Sequence, residues 1–142
     1  GTWKWFTKIE NNLYLGGIPL HSLNHLSILT MDLKVDAVLS VMESYELNSS
    51  TLAGKPVSPD QWKKEDVLHK QLFTYDFTPP SFKVLNDGAD WIYQQLKEKH
   101  IVYCHCKSGI GRSTSVVAAY YIKYRGMKAL DALAYIRKLR PC

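Results

Sequence analysis

The chain has 142 residues, 46% hydrophobic and 22% charged, which suits one globular domain with one sizeable core. Its 18 Lys and Arg against 13 Asp and Glu give a net charge of +5, which favours an anionic partner without selecting nucleic acid. There is no apolar run near the ~18 residues of a membrane span, no zinc-finger spacing, no basic tract and no G-K-[ST] phosphate loop, and the three cysteines are too few and odd in number for a disulfide framework.

The opening stretch G-T-W-K-W-F-T-K is not a signal peptide, and a chain beginning with Gly1 says nothing about targeting segments. Trp3, Trp5 and Phe6 suit an arm or capping strand packed on the core; the alternative is an interface with a membrane or another domain. Residues 11–18 read as a short strand with a turn at Gly16-Gly17. Leu20, Leu23, Leu26 and Leu29 form a helical stripe over 20–31, with Ser22 or Asn24 near its start. Residues 35–41 read as a buried strand. Residues 42–66 are polar and irregular, with an exposed, insertion-like loop at 51–60 and a short helical turn capped by Asp60. A strand over 67–75 stops at Asp76-Phe77-Thr78-Pro79-Pro80. A helix over 81–97 follows, with core positions Val84, Leu85, Ala89, Ile92 and Leu96. A buried strand at 101–104 comes next, then helices over 112–124, closed by Gly126, and 129–140. Strands alternating with helices, with no linker and no repeat, argue for an α/β sheet covered by helices, and for residues 1–142 as one domain.

The segment that carries chemistry is I-V-Y-C-H-C-K-S-G-I-G-R-S-T-S. A buried strand ends in His105 and Cys106, a glycine-punctuated turn follows, and a helix begins near Arg112. The N–H groups of such a turn, with the helix N-terminus, converge into an anion site, and the same field favours a thiolate. Phosphate held by Lys107, Ser108, Gly109, Ile110 and Gly111 would have its phosphorus next to Cys106. Gly109 and Gly111 permit backbone geometries that larger residues resist. Arg112 can make a two-pronged contact to phosphoryl oxygens. Ser113 can hydrogen-bond the sulfur as it leaves, and His105 orders the loop rather than acting as the base. The leaving group needs a proton, and Asp76, in a separate and stiff loop, is placed to give it and then to activate water. A reducing compartment is the natural setting for a reactive thiol. The proposed chemistry needs neither metal nor cofactor.

His105 to Ser113 resembles the signature loop of the protein tyrosine and dual-specificity phosphatases, and the chain's length resembles the compact dual-specificity class. The resemblance implies a three-layer domain with a central mixed sheet between helices. It implies a phosphocysteine on Cys106, phosphate binding by Arg112, a hydroxyl role for Ser113 and an acid at Asp76. Met42-Glu43-Ser44-Tyr45-Glu46 is similar to the E-x-Y-E segment of the mitochondrial-type lipid phosphatases that act on phosphatidylglycerophosphate, as are residues 12–20, Gln61-Trp62 and 117–120. That implies a phospholipid headgroup, phosphatidylglycerophosphate or a phosphoinositide, as substrate, with Glu43, Tyr45 and Glu46 shaping the substrate loop. It also implies peripheral membrane contact, and a mitochondrial setting if the source is eukaryotic. Ile110 stands where the lipid branch carries Arg, and the C-x-x-G-I-G-R-S form is more like tyrosine-specific enzymes. The alternatives are a dual-specificity or tyrosine protein phosphatase and, remotely, an inactive phosphate-binding module. No nucleic-acid partner is expected.

Overall fold

The computed structural model describes residues 4–50, 52 and 54–141. Five strands, β1 (Phe6–Glu10), β2 (Leu13–Gly16), β3 (Ala37–Val41), β4 (Leu68–Leu72) and β5 (Val102–His105), form one mixed sheet in the order β1-β2-β5-β3-β4. β1 and β2 are an antiparallel pair turned at Asn12, which adopts φ 69°, and every other pairing is parallel. The inner strands β3 and β5 are buried along their whole length, as expected where helices cover both faces.

Side chains alternate between two cores, because successive residues of a strand point to opposite faces. Ala37, Leu39, Val41, Val102 and Cys104 face the helical side with Ile92, Val117, Tyr121 and Ile136. Val38 and Tyr103 face the other side with Leu29, Val57, Trp62 and Val67. On the first face lie α4 (Phe82–Lys97), α5 (Arg112–Arg125) and α6 (Ala129–Leu139). The apolar positions expected in α4 fall on this core, with Ala89 and Ile92 fully buried and Val84, Leu85 and Leu96 packed against it. Gly126 ends α5 in the left-handed conformation, φ 68°, and its N–H donates back to the Tyr121 carbonyl.

Four expectations need correction. The stripe over 20–31 is not one helix. It is a 3₁₀ turn (His21–Leu23), a single α turn α1 (His25–Ser27) and a π segment (Ile28–Asp32). Asn24 adopts φ 60° and breaks the ladder, while the His25 ring takes the Leu20 N–H at 3.0 Å. The region 42–66 is more ordered than its composition suggests: it contains α2 (Ser44–Asn48) and α3 (Pro59–Lys64). The cap of α3 is Ser58, whose hydroxyl accepts from Gln61 N–H at 3.2 Å, not Asp60, which lies inside the first turn. Residues 55–57 are pinned to residues 19–21 through Leu20–Pro56 pairing and Val57 N–H to Pro19 carbonyl at 2.9 Å. Thr51 and Ala53 of the expected insertion lie outside the described residues, as do Trp3 and Cys142. The strand expected over 67–75 ends at Leu72. Phe6 opens β1 and Trp5 stacks on His25 with ring centroids 3.6 Å apart, so the aromatic arm packs on the domain.

Candidate active site

Loop 106–111 joins the end of the buried strand β5 to the start of α5, whose first three residues are buried. Its carbonyls are tied down from outside. The Cys106 carbonyl accepts from His105 Nδ1 (3.1 Å), Lys107 from Ile18 N–H (3.0 Å), Ser108 from Arg140 Nη2 (3.0 Å) and Gly109 from Arg140 Nε (2.8 Å). With consecutive carbonyls turned out, the N–H groups of 107–111 are left without acceptors among the described residues, and a ring of donors around one point is what an anion needs.

Two glycine-rich segments make this possible by close approach. Gly109 has φ 74°, and a Cβ there would stand 2.3 Å from the Gly16 carbonyl carbon. Gly17 touches the Lys107 carbonyl so closely that a Cβ would lie 3.0 Å from it. The loop therefore rests on the turn after β2. Gly111 differs from expectation: its φ is −105° and a Cβ would meet nothing within 4 Å, so no steric demand requires glycine there.

Within the ring, Cys106 is 2% exposed and Ser113 Oγ donates to its sulfur at 3.2 Å. Behind it, the Cys106 carbonyl can only accept, so the His105 proton sits on Nδ1 and Nε2 is an acceptor. The Ser40 hydroxyl lies 2.7 Å from that Nε2 and 2.8 Å from His69 Nε2, so it donates to His105 and accepts from His69. Burial holds both imidazoles neutral, lowering His105 to about 3 and His69 to about 4. Cys104, deep in the core, is held as the thiol by burial and by the neighbouring Cys106.

Arg112 is 4% exposed and firmly oriented. Its Nη1 and Nη2 donate to the two oxygens of Glu46 at 2.8 and 2.9 Å, and Nη1 also donates to the Thr74 carbonyl at 2.9 Å. Asp76 Oδ1 lies 3.3 Å from Nη2 and accepts from the Phe77 N–H. Arg112 Nε has no partner among the described residues, leaving that edge of the guanidinium for a ligand. Burial opposes the Glu46 carboxylate, but hydrogen bonds from Arg112 and from Glu43 N–H outweigh it and hold its pKa below the ordinary value. Ser81, not Asp76, caps α4, accepting from Val84 N–H at 3.1 Å, so Asp76 is not engaged in capping.

The structure places Glu46 buried against Arg112, Tyr45 beside it 61% exposed, and Glu43 at the opening of α2. Lys107 and Ile110 are exposed. Sequence reasoning missed Ser40, His69, the Thr74 carbonyl and Arg140. Glu46, which was singled out from sequence, also carries a local signal, its three-residue spacing from Glu43 as a helix cap. Among the described residues no group of three or more His, Cys, Asp or Glu is placed to hold a metal ion.

A thiol at the base of an N–H ring, on a mixed sheet sandwiched by helices, defines the cysteine-dependent phosphatases. A model of the dual specificity phosphatase catalytic domain matches residues 13–142, and the chain belongs to that family. The mouse (Mus musculus) phosphatidylglycerophosphatase and protein-tyrosine phosphatase 1 is 31% identical over 96% of this chain and 67% of its own length. An Arabidopsis thaliana phosphatidylglycerophosphate phosphatase is 28% identical over 97% of this chain and 38% of its own length. The chain therefore spans about two thirds of the first and well under half of the second. The crystal structure of PTPMT1 in complex with PI(5)P superposes with a TM-score of 0.84 at 30% identity, covering 97% of this chain and 85% of that one. Tk-PTP in its active form gives 0.81 at 28% identity over 99% and 87%. The protein is a phosphatase of the cysteine-dependent, dual-specificity superfamily, of the type to which PTPMT1 belongs.

Proposed function

We propose that residues 1–142 form one catalytic domain that removes a phosphomonoester from a phospholipid headgroup, phosphatidylglycerophosphate or a phosphoinositide. The observation that carries the chemistry is the Cys106 sulfur, hydrogen-bonded by Ser113 at 3.2 Å, at the start of a loop whose N–H groups have no acceptor among the described residues and which ends at Arg112. The lipid reading rests on the relatives named for phosphatidylglycerophosphate and on the structure solved with PI(5)P.

The phosphoryl oxygens sit among the N–H groups of 107–111 and against the free edge of Arg112. The Cys106 thiolate attacks phosphorus, the P–O bond to the leaving alcohol breaks, and Asp76 gives its proton to that oxygen. Asp76, now a carboxylate, takes a proton from water as the water attacks the phosphocysteine. The S–P bond breaks, inorganic phosphate leaves, and Ser113 donates to the departing sulfur. His105, fixed by Ser40 and His69, holds the Cys106 carbonyl outward throughout.

This reading sets the enzyme at a membrane surface, mitochondrial in a eukaryote, in a reducing compartment that preserves the free thiols Cys104 and Cys106. Among the described residues no helix is long and apolar enough to cross a membrane, and the contact proposed for this domain is peripheral. Ile110, in place of the Arg of the lipid branch, favours a second reading as a tyrosine or dual-specificity protein phosphatase. Phosphate release from phosphatidylglycerophosphate, phosphoinositides, phosphotyrosine peptides and phosphoserine peptides at matched concentration decides between them. Preference for peptides over every lipid overturns the first reading.

A further inference from the structure

Beside the phosphate cradle, and unused by the chemistry above, lies a cavity of roughly 760 Å³. Its walls are mostly apolar, built from Trp5, Ile18, Leu20, Leu23, Met42 and Leu52, with Glu46, Ser49 and Ser50 on the side of α2. Lys107 and Gly17 line it too, so the cavity shares a rim with the loop that would hold the phosphate. A substrate fixed by its phosphate has its remaining body at that rim.

Two buried polar side chains line the cavity, Glu46, whose oxygens are taken by Arg112, and His25. His25 is 5% exposed. Nδ1 accepts from Leu20 N–H at 3.0 Å, which places the ring proton on Nε2. Trp5 covers one ring face with centroids 3.6 Å apart and fixes the imidazole plane. Burial lowers the pKa and keeps the ring neutral. Its Nε2–H has no acceptor among the described residues. A donor so placed in an apolar chamber asks for one neutral acceptor at the end of an otherwise apolar ligand.

We propose that this cavity receives an acyl chain of the phospholipid substrate, with His25 Nε2–H donating to the carbonyl of its ester. The inference rests on the lipid reading and adds to it a recognition site for the chain itself. A glycerol or inositol ring alone would leave the leucine walls in contact with water. A peptide would bring several backbone N–H and C=O groups to a wall that is mostly apolar. An acyl ester brings one carbonyl and a run of methylenes. Leu23 and Leu52, 55% and 111% exposed at the edge of the cavity, would be covered by the rest of the chain.

The test uses the purified chain and monomeric, water-soluble dibutyryl and dioctanoyl phosphatidylglycerophosphate. Each methylene moved from water to an apolar wall multiplies kcat/KM by up to about fourfold. The dioctanoyl substrate is expected to exceed the dibutyryl one by at least about 30-fold. Leu23→Asp puts a charge on the wall and Ser50→Trp puts bulk in the cavity, both at exposed positions where the fold tolerates change. Each is expected to lower the ratio of dioctanoyl to p-nitrophenyl phosphate kcat/KM by about tenfold or more. An ether-linked dioctyl analogue, which lacks the carbonyl, is expected to fall about 2- to 10-fold below the ester, a difference lost in His25→Phe. Equal rates for both chain lengths overturn the cavity assignment and leave lipid hydrolysis standing. A chain-length preference that both variants leave intact also overturns it, because the chain then lies elsewhere. Failure on both lipids with turnover of phosphotyrosine peptides overturns the lipid reading and this inference together.

Discussion

Glu46→Gln is the most informative single change, because it separates a residue that aims Arg112 from one that touches substrate. In the native site both Glu46 oxygens accept from Arg112, at 2.8 and 2.9 Å, and the side chains are 7% and 4% exposed. Glutamine keeps the shape and one acceptor but turns an NH₂ group toward the guanidinium, so one charge-assisted bond and one compensating charge are lost. A hydrogen bond to a charged group is worth about 1.5–3 kcal/mol, and removing one partner of a buried pair sits at or above the top of that range. The expected loss of stability is about 2–4 kcal/mol in urea unfolding. Arg112 keeps the Thr74 carbonyl and Asp76 and is free to swing between them. Misaimed by such a swing, it should lose about 1.4–2.8 kcal/mol of transition-state binding, a fall of about 10- to 100-fold in kcat/KM. The loss should be the same for p-nitrophenyl phosphate as for a lipid, since both place a phosphoryl group against Arg112. A variant within twofold of wild type on both, with unfolding midpoint unchanged, refutes the aiming role. A loss confined to lipids would return Glu46 to a substrate-contact role.

Other consequences are equally direct. Cys106→Ser should abolish turnover while phosphate still binds, measured by calorimetry; undiminished turnover removes Cys106 as the nucleophile. Asp76→Ala should slow hydrolysis most for alkyl phosphates and least for aryl phosphates with acidic phenols, and a flat leaving-group dependence would contradict its acid role. Gly109→Ala, whose Cβ would stand 2.3 Å from Gly16 at φ 74°, should cost about 2–5 kcal/mol, whereas Gly111→Ala, with nothing within 4 Å, should cost under about 1 kcal/mol; thermal unfolding compares them. The pH dependence follows from the depressed imidazole pKa values. The unfolded chain takes up protons near 6.5, whereas folded His69 resists protonation down to about 4 and His105 to about 3. Stability is therefore complete above about 6.5 and declines as pH falls, by up to roughly 1.4 kcal/mol per pH unit for His69 alone. Glu46, depressed below its ordinary value by Arg112, adds its own loss in acid as pH falls through its folded pKa. His69→Gln should flatten the slope between about pH 6.5 and 4 in urea titrations.

The parts of the site that were legible in the sequence are contiguous. Residues 105–113 could be read because strand, turn and helix start follow one another, and the loop's shape is set by its own residues. Asp76 could be located because Pro79-Pro80 marks a loop of limited freedom. Arg112's partner could not be seen: Glu46 lies 66 residues away, and its use is decided by where β3 delivers α2. That helix has five residues, too few for periodicity to show. The stripe over 20–31 misled for a related reason, since apolar spacing does not register a left-handed Asn24 or a ring that competes for the Leu20 N–H. Strand β4 stops at Leu72 although the apolar and aromatic run continues through Phe73 and Tyr75, which stand 53% and 59% exposed.

Arg140 joins remote parts of the chain at the cradle. Its guanidinium reaches the Ser108 and Gly109 carbonyls and the Thr7 hydroxyl at 3.0, 2.8 and 3.0 Å. Because synthesis runs from one end, the Ser108 and Gly109 carbonyls lack this brace until residue 140 has emerged and folded back against β1. A growing chain can therefore carry its cysteine for some time in a loop that is only half braced. The guanidinium that shapes the loop ties its final form to a contact spanning 133 residues of chain.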